Sequence, residues 1–343
     1  MLYVDNSILK SVQTCHLQAT LRYVLGLTTG EERIELQAGT AVHAFMEAYH
    51  KNLGAQAAFH AFDDVYKGPG QKVSVEDRLS WRNVRRILNR FQLAAKLPYD
   101  FPDPACVEAP FEVPLIDDIA FVGRLDALVP YKGRPIVLEV KTTGSLSSWW
   151  KDEWQMSSQL TGYVYGANAG RVGGMIVREP VEEIAVLGIE LRKLPVSDTK
   201  CKEHGLRYSE CGEVHAKWEF HGPYHRPQGL IARWKEEAIA AAKEYAALVH
   251  GIDSVGAAAR ICRTQGQFNG GCKRCEFQSY CVQGLPVEAM EANLVYEPWD
   301  PRHLKHQAVP VTDTQLVQVD RRPVTPAMAP LPTNIPKMEA MPI

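Results

Sequence analysis

The apolar positions Ile8, Leu9, Val12, Leu21, Val24 and Leu25 make residues 7–26 read as a helix with Ser7 as its cap. The period is clearer over 33–53, through Val42, Phe45, Met46, Tyr49 and Leu53, and it sets His43, Glu47 and His50 on a neighbouring stripe. A third helix is expected over 78–97, on Leu79, Val84, Ile87, Leu88 and Phe91, with Pro98 as its stop. Alternation then predicts strands at 107–115, 119–130 and 135–141, a helix at 154–168, and strands at 173–178 and 184–192. A short strand at 217–221 and an Ala-rich helix over 228–249 follow. The stretch 195–216 keeps neither period and reads as an insertion or long loop.

Two of the strand-like runs carry chemistry. Phe121-Val-Gly-Arg-Leu-Asp126 and Ile136-Val-Leu-Glu139-Val-Lys141 each deliver an acid. Side chains at i and i+2 of a strand share a face, so Glu139 and Lys141 emerge together. If the strands pair through the turn at residues 131–135, Asp126 joins them. Two carboxylates and an ammonium on one surface are costly in a core and suited to a divalent cation with an activated water.

With 343 residues and 45% apolar content the chain can bury a large core. No apolar run approaches the ~18 residues of a membrane span. The opening residues lack the basic and apolar regions of a secretory signal, so the expectation is a soluble, cytoplasmic protein away from membranes. Formal net charge is only −2, so a nucleic-acid partner requires a local basic groove. Residues 291–343 hold 9 of the 22 prolines with little apolar period, and read as a disordered tail or docking peptide behind a domain spanning 1–290.

The element order, with acids on the second and third strands, resembles the PD-(D/E)XK nuclease superfamily. Gly39-Thr-Ala-Val-His43-Ala-Phe-Met-Glu47 is similar to the helical G-x-x-x-H-x-x-x-E element of its RecB-like and Cas4-like exonuclease branch. Gln159-Leu-Thr-Gly-Tyr163 is similar to the Q-x-x-x-Y element that follows the lysine there. Asp126 answers the aspartate of G-x-x-D, and Glu139-Val-Lys141 answers (D/E)-x-K.

The resemblance implies an α/β restriction-endonuclease-like core, a central mixed sheet flanked by helices, with a helical N-terminal part and a C-terminal iron–sulfur region. It implies Mg²⁺ or Mn²⁺ held by His43, Asp126, Glu139 and the Val140 carbonyl, since hard oxygen donors suit these ions. Lys141 then positions the nucleophile or stabilises developing charge, while Gln159 and Tyr163 touch the DNA backbone or orient the site. Glu47 reads as a salt-bridge partner or a supporting residue, and His50 as surface.

Cys272-Lys-Arg-Cys275-Glu-Phe-Gln-Ser-Tyr-Cys281 follows a C-x2-C-x5-C spacing, one ligand short of a four-thiolate centre. The same resemblance supplies Cys15 as the fourth, and a [4Fe–4S] cluster as the occupant. Cys262 is the rival ligand and zinc the rival metal. Bridging Cys15 to Cys272 closes a loop of 257 residues (272 − 15) and clips the chain around the nuclease core. Lys273, Arg274 and Arg263 add positive charge nearby. Cys201, His204, Cys211, His215, His221 and His225 form a looser candidate zinc group. Trp149, Trp150 and Trp154 are candidates for stacking on unpaired bases, for core packing or for a lid.

The implied function is a metal-dependent DNA exonuclease acting on DNA ends, single-stranded by expectation, in recombination, repair, or phage or CRISPR-associated processing. No G-x-x-x-x-G-K-[ST] loop is present, so unwinding would fall to a helicase or recombination partner. The competing reading is a catalytically silent DNA-binding module of the same fold. An electron-transfer role is the weakest, since the ferredoxin spacing with its following proline is missing.

Overall fold

The computed structural model describes residues 1–31, 33–66, 78–168, 180–192, 200, 205–206, 216–261, 272–273 and 275–302. The chain opens with β1 (Leu2–Val4), α1 (Asn6–Thr14) and α2 (His16–Ala19), then a π-helical turn at Thr20–Val24 and β2 (Leu27–Thr28). Three helices follow: α3 (Ile34–His50), α4 (Ala55–Tyr66) and α5 (Trp81–Ala94). Next come β3 (Val107–Ile116), β4 (Ile119–Tyr131), β5 (Arg134–Thr143), α6 (Ser148–Asp152) and α7 (Ser158–Ala167). The remainder comprises β6 (Glu183–Glu190), β7 (Lys217–His225), α8 (Gln228–Gly251), α9 (Val255–Ala259), α10 (Gln278–Val282), α11 (Val287–Asn293) and β8 (Val295–Tyr296).

A mixed sheet in the order β1-β4-β5-β6-β7, with β3 along the other edge of β4, forms the centre. β4 and β5 are an antiparallel pair joined by Lys132 and Gly133, whose positive φ values of 49° and 79° make the turn tight. Helices cover both faces. On one side α1, α7 and α8 pack on Phe111, Phe121, Leu125 and Val137. On the other, α3, α4 and α5 pack on Ala127, Val129, Ile136, Leu138 and Val140. Phe111 fits between Gly123 of β4 and Gly166 of α7, where a Cβ would come within 2.5 Å of its ring at either position. Gly166→Ala is therefore expected to destabilise the fold by about 1–3 kcal/mol, read from urea unfolding.

A third, smaller core gathers Leu17, Leu21, Leu27, Val255, Ala258, Phe277, Met290 and Leu294. β2 pairs with β8 beside it, and Glu276 accepts from Thr28 Oγ1 at 2.7 Å.

Several expectations are corrected. The helix foreseen over 7–26 breaks at Cys15, which is extended (φ −160°), and Asp5 rather than Ser7 caps α1, its carboxylate accepting from Ile8 N at 2.8 Å. Helix 78–97 is shorter, the helix foreseen at 154–168 starts only at Ser158 as α7 after a turn at 153–156, and α6 before it was not foreseen. The strand foreseen at 217–221 continues to His225. α4 went unforeseen. His50 is not on the surface: it is 1% exposed, with Nε2 2.9 Å from the Tyr99 hydroxyl. Ordered chain also runs past 290, through α11 and β8 to Trp299, whose Nε1 donates to Asp5 Oδ2 at 2.9 Å. The strand foreseen at 173–178, most of 195–216, Cys262 and residues 303–343 lie outside the described residues.

Candidate metal centre and active site

The sheet splits at the site. β1 pairs with Ile119–Phe121 of β4 and β5 with Ala127–Tyr131, so between them residues 122–126 face a cavity of about 800 Å³. Asp126, Glu139, Lys141, His43, Gln159 and Tyr163 all line it. The alternation of β4 also slips by one here. Phe121 and Leu125 face the α7 side, whereas Ala127 and Val129 face the α3 side. Asp126 stands at the slip. That lets it reach His43 on α3, with Nδ1 to Oδ1 at 3.3 Å, while its other oxygen accepts from Val140 N at 2.6 Å.

Glu139 and Lys141 share a face as their spacing requires, with Lys141 Nζ donating to Glu139 Oε1 at 2.5 Å. Gln159 and Tyr163, one turn apart on α7, complete the set. Gln159 Oε1 accepts from Lys141 Nζ at 3.3 Å, and its Nε2 donates to Glu139 Oε1 at 3.2 Å and to the Tyr163 hydroxyl at 2.9 Å. Gln159 thus orients the lysine and glutamate. Glu139 is 2% exposed, and its Oε2 has no hydrogen-bond partner. A buried carboxylate oxygen left bare is costly unless a cation meets it.

Glu108 of β3 was not foreseen. Its carboxylate, His43 and Asp126 offer ligand atoms within 4.8 Å of one another. Val107 pairs with Ala127 and Ala109 with Leu125, which puts Glu108 opposite Asp126, and the β4–β5 register brings Glu139 level on the far side. Hard oxygens and one imidazole fit Mg²⁺ or Mn²⁺. Glu47 instead pairs with Lys51 at 2.6 Å.

The electrostatics follow from three acids in one row. Burial and the Asp126 charge push Glu139 up to about 7. Glu108 is likewise raised to about 7, by burial first and Asp126 second. Burial pulls His43 down, but the Asp126 carboxylate outweighs it and lifts the imidazole to about 9. Burial would raise Asp126 too, yet His43 and Lys141 hold it below its ordinary range.

These shifts fix the pH response of the cation-free protein. Raised groups stabilise below their unfolded values and lose that contribution as pH climbs through the folded ones. For Glu139 and Glu108 the loss spans 4.5 to about 7, and for His43 it spans 6.5 to about 9. Asp126 acts oppositely, only as pH falls below its ordinary 3.8. The melting temperature in chelator is expected to fall steadily between pH 5 and 9, with Mn²⁺ recovering more at pH 8 than at pH 6. Calorimetry of wild type beside Glu139→Gln, in which the slope is shallower, checks this.

Trp150 and Trp154 belong to the core, their rings edge-to-face at 5.4 Å, and Trp154 also walls the cavity. Trp149 is 76% exposed. Cys15, Cys275 and Cys281 pack against the third core. Burial pushes the Cys275 thiol up to about 11, and the charges of Cys281 and Cys15 add to it. Cys272 is described as well and, like these three, forms no disulfide. Among the described residues no three cysteine sulfurs lie within 4.8 Å of one another. Of the looser Cys/His group, His221 packs on Trp150 and pairs with Glu219 at 3.3 Å, and His225 ends β7. Cys201, His204, Cys211 and His215 lie outside the described residues.

The family model for the PD-(D/E)XK nuclease superfamily matches residues 6–282. The chain belongs to that superfamily. The match spans α1 to α10, and so takes in the sheet, the acidic row and the segment that carries the three later cysteines. No curated protein matches the chain. Among solved structures it is similar to "Crystal structure of SSO0001", at 15% identity over 81% of this chain and 96% of that one, with a TM-score of 0.28. Nucleases of this superfamily act on DNA with divalent metal ions, and the candidate site has the donors for one. Among the described residues no helix is long and apolar enough to cross a membrane.

Proposed function

We propose that the protein is a divalent-metal-dependent exonuclease that hydrolyses phosphodiester bonds at DNA ends, with single strands as substrate. The observation that carries this is the bare, buried Oε2 of Glu139 in a cavity shared with Asp126, His43 and Lys141. Asp126, Glu139, His43 and the Val140 carbonyl would hold Mg²⁺ or Mn²⁺. When bound, the ion polarises the scissile phosphate and makes water acidic enough to attack near neutral pH. Lys141, clamped between Glu139 and Gln159, presents its remaining proton to the charge that builds on the phosphoryl oxygens. Tyr163 steadies Gln159 from the next turn of α7. Lys10 of α1 and Arg124 of β4, both lining the cavity, supply the local positive charge that a strand's backbone needs in a nearly neutral protein.

The second part of the reading is a [4Fe–4S] cluster on Cys15, Cys272, Cys275 and Cys281, clamping the third core against the sheet. The convergence of Cys15 with Cys275 and Cys281 across the length of the chain supports it. Processing of DNA ends in recombination, repair or phage- and CRISPR-associated pathways fits such an enzyme, with a partner to unwind duplex. The test is degradation of end-labelled single-stranded and duplex oligonucleotides in Mg²⁺, Mn²⁺ or chelator. A metal-dependent ladder from one end supports the proposal. Tight binding without cutting under either metal favours the silent binding module instead.

A further inference from the structure

We propose that Glu108 is a cation ligand held in reserve: Arg124 occupies its carboxylate in the free protein and frees it when a DNA phosphate draws the guanidinium into the cavity. This rests on the cation-dependent reading above and adds a substrate-operated exchange to it. Glu108 already stands within ligand range of His43 and Asp126, yet its Oε2 is bound by Arg124 Nε at 2.6 Å. The side chain of Glu108 is nearly buried, whereas that of Arg124 is 39% exposed and lines the cavity. A guanidinium on a cavity wall prefers the paired oxygens of a phosphate, which it can bind through two parallel hydrogen bonds.

Two further features argue that Glu108 is placed for more than an ion pair. Its φ of 52° is left-handed, a conformation that a non-glycine residue keeps only where its surroundings impose it. It also extends a row of like charges across β3, β4 and β5, an arrangement that opposes folding unless cations share the row. Arg124, His43 and Lys141 each serve one acid of the row. Of these three cations Arg124 is the most exposed, at 39% against 31% for His43 and 24% for Lys141, so it is the one a substrate recruits most readily.

A Mn²⁺ titration followed by calorimetry and Mn²⁺ electron paramagnetic resonance reads the exchange without reference to cleavage. Arg124→Ala is expected to tighten Mn²⁺ about tenfold, and the same substitution on a Glu108→Gln background less than about twofold. Equal gains on both backgrounds would mean simple relief of charge and would overturn the proposal, as would no gain at all. A short single-stranded oligonucleotide with phosphorothioate linkages is expected to tighten Mn²⁺ binding to wild type about fivefold but to leave Glu108→Gln unchanged. Tightening of the same size in both would also overturn it. Glu108→Gly, which removes the ligand while freeing the left-handed backbone, guards against a folding defect and should behave as Glu108→Gln does. If wild type bound no Mn²⁺, the cation site itself would fail and the reserve ligand with it. If wild type binds and only the exchange is missing, the nuclease reading stands.

Discussion

Replacing Lys141 with alanine is expected to lower Mn²⁺-dependent cleavage of a single-stranded oligonucleotide by about 10²–10³-fold, the usual cost of removing one preorganised donor to a developing oxyanion. Two losses combine. The ammonium that faces the phosphoryl oxygens disappears, and Glu139 loses the cation 2.5 Å from its Oε1. Burial already holds Glu139 near neutrality with Lys141 present, so removing the lysine pushes it further toward the protonated form. A protonated Glu139 is a poor ligand, and Mn²⁺ affinity should fall along with turnover. Oligonucleotide affinity in chelator should change by no more than a few-fold, because backbone contacts on the cavity walls remain. Rapid-quench rates and a binding isotherm on the same preparation separate these effects. A rate loss below tenfold would remove Lys141 from the chemistry and leave the ExK pattern as a strand-borne ion pair.

How much of this was legible in the chain depends on how local the determining geometry is. The β4–β5 hairpin, the shared face of Glu139 and Lys141, and the one-turn spacing of Gln159 and Tyr163 are fixed within a few residues, and the structure has all three. His43 against Asp126 was reachable only through a resemblance, since α3 and β4 are joined by nothing in the hydrophobic period. Glu108 was out of reach. Its role depends on the register of β3 against β4 and on a left-handed residue inside a strand, and neither leaves a mark in alternation. His50 was misplaced because a stripe tells which way a side chain leaves its helix, not that Tyr99 will close over it. α4 did carry a signal, Ala58, Phe62 and Tyr66 at spacings of four, but no cap or acidic first turn announced it. The break at Cys15 is the most instructive case. Apolar positions continue in helical phase on both sides of it, so pattern alone reads one helix where the chain turns to bring a sulfur toward Cys275 and Cys281.

That turn makes Cys15→Ser the second decisive substitution. If Cys15 ligates the cluster, the variant should lose iron and the absorbance near ~400 nm, and its first melting transition should fall by about 10 °C or more, since a structural metal's binding energy is folding energy. The loss should stay regional. Ile8, Leu9 and Val12 anchor α1 in the main core with α7 and α8, so the N-terminal strand and helix remain docked without the cluster. The third core has far fewer apolar residues, and its other ties include the short β2–β8 pair, the Glu276–Thr28 hydrogen bond, Arg22 donating to the Glu297 carbonyl at 2.6 Å and, toward α8, His16 with Glu244 at 3.0 Å and Tyr245 donating to the Tyr23 carbonyl at 3.0 Å. Calorimetry is therefore expected to show one transition in wild type and two in Cys15→Ser, the lower one belonging to the third core. Cys262→Ser, on the rival ligand, should keep both colour and a single transition. The opposite assignment of colour between the two variants would hand the fourth position to Cys262, and stoichiometric zinc in colourless wild type would replace the cluster while leaving the clamp. Because Trp299 lies three residues past the end of β8 and ties to Asp5 at the cavity, melting of the third core should also loosen that wall of the active site. Residual cleavage by Cys15→Ser would then show weaker discrimination between strand ends and internal positions, whereas Lys141→Ala would lose rate with end preference intact.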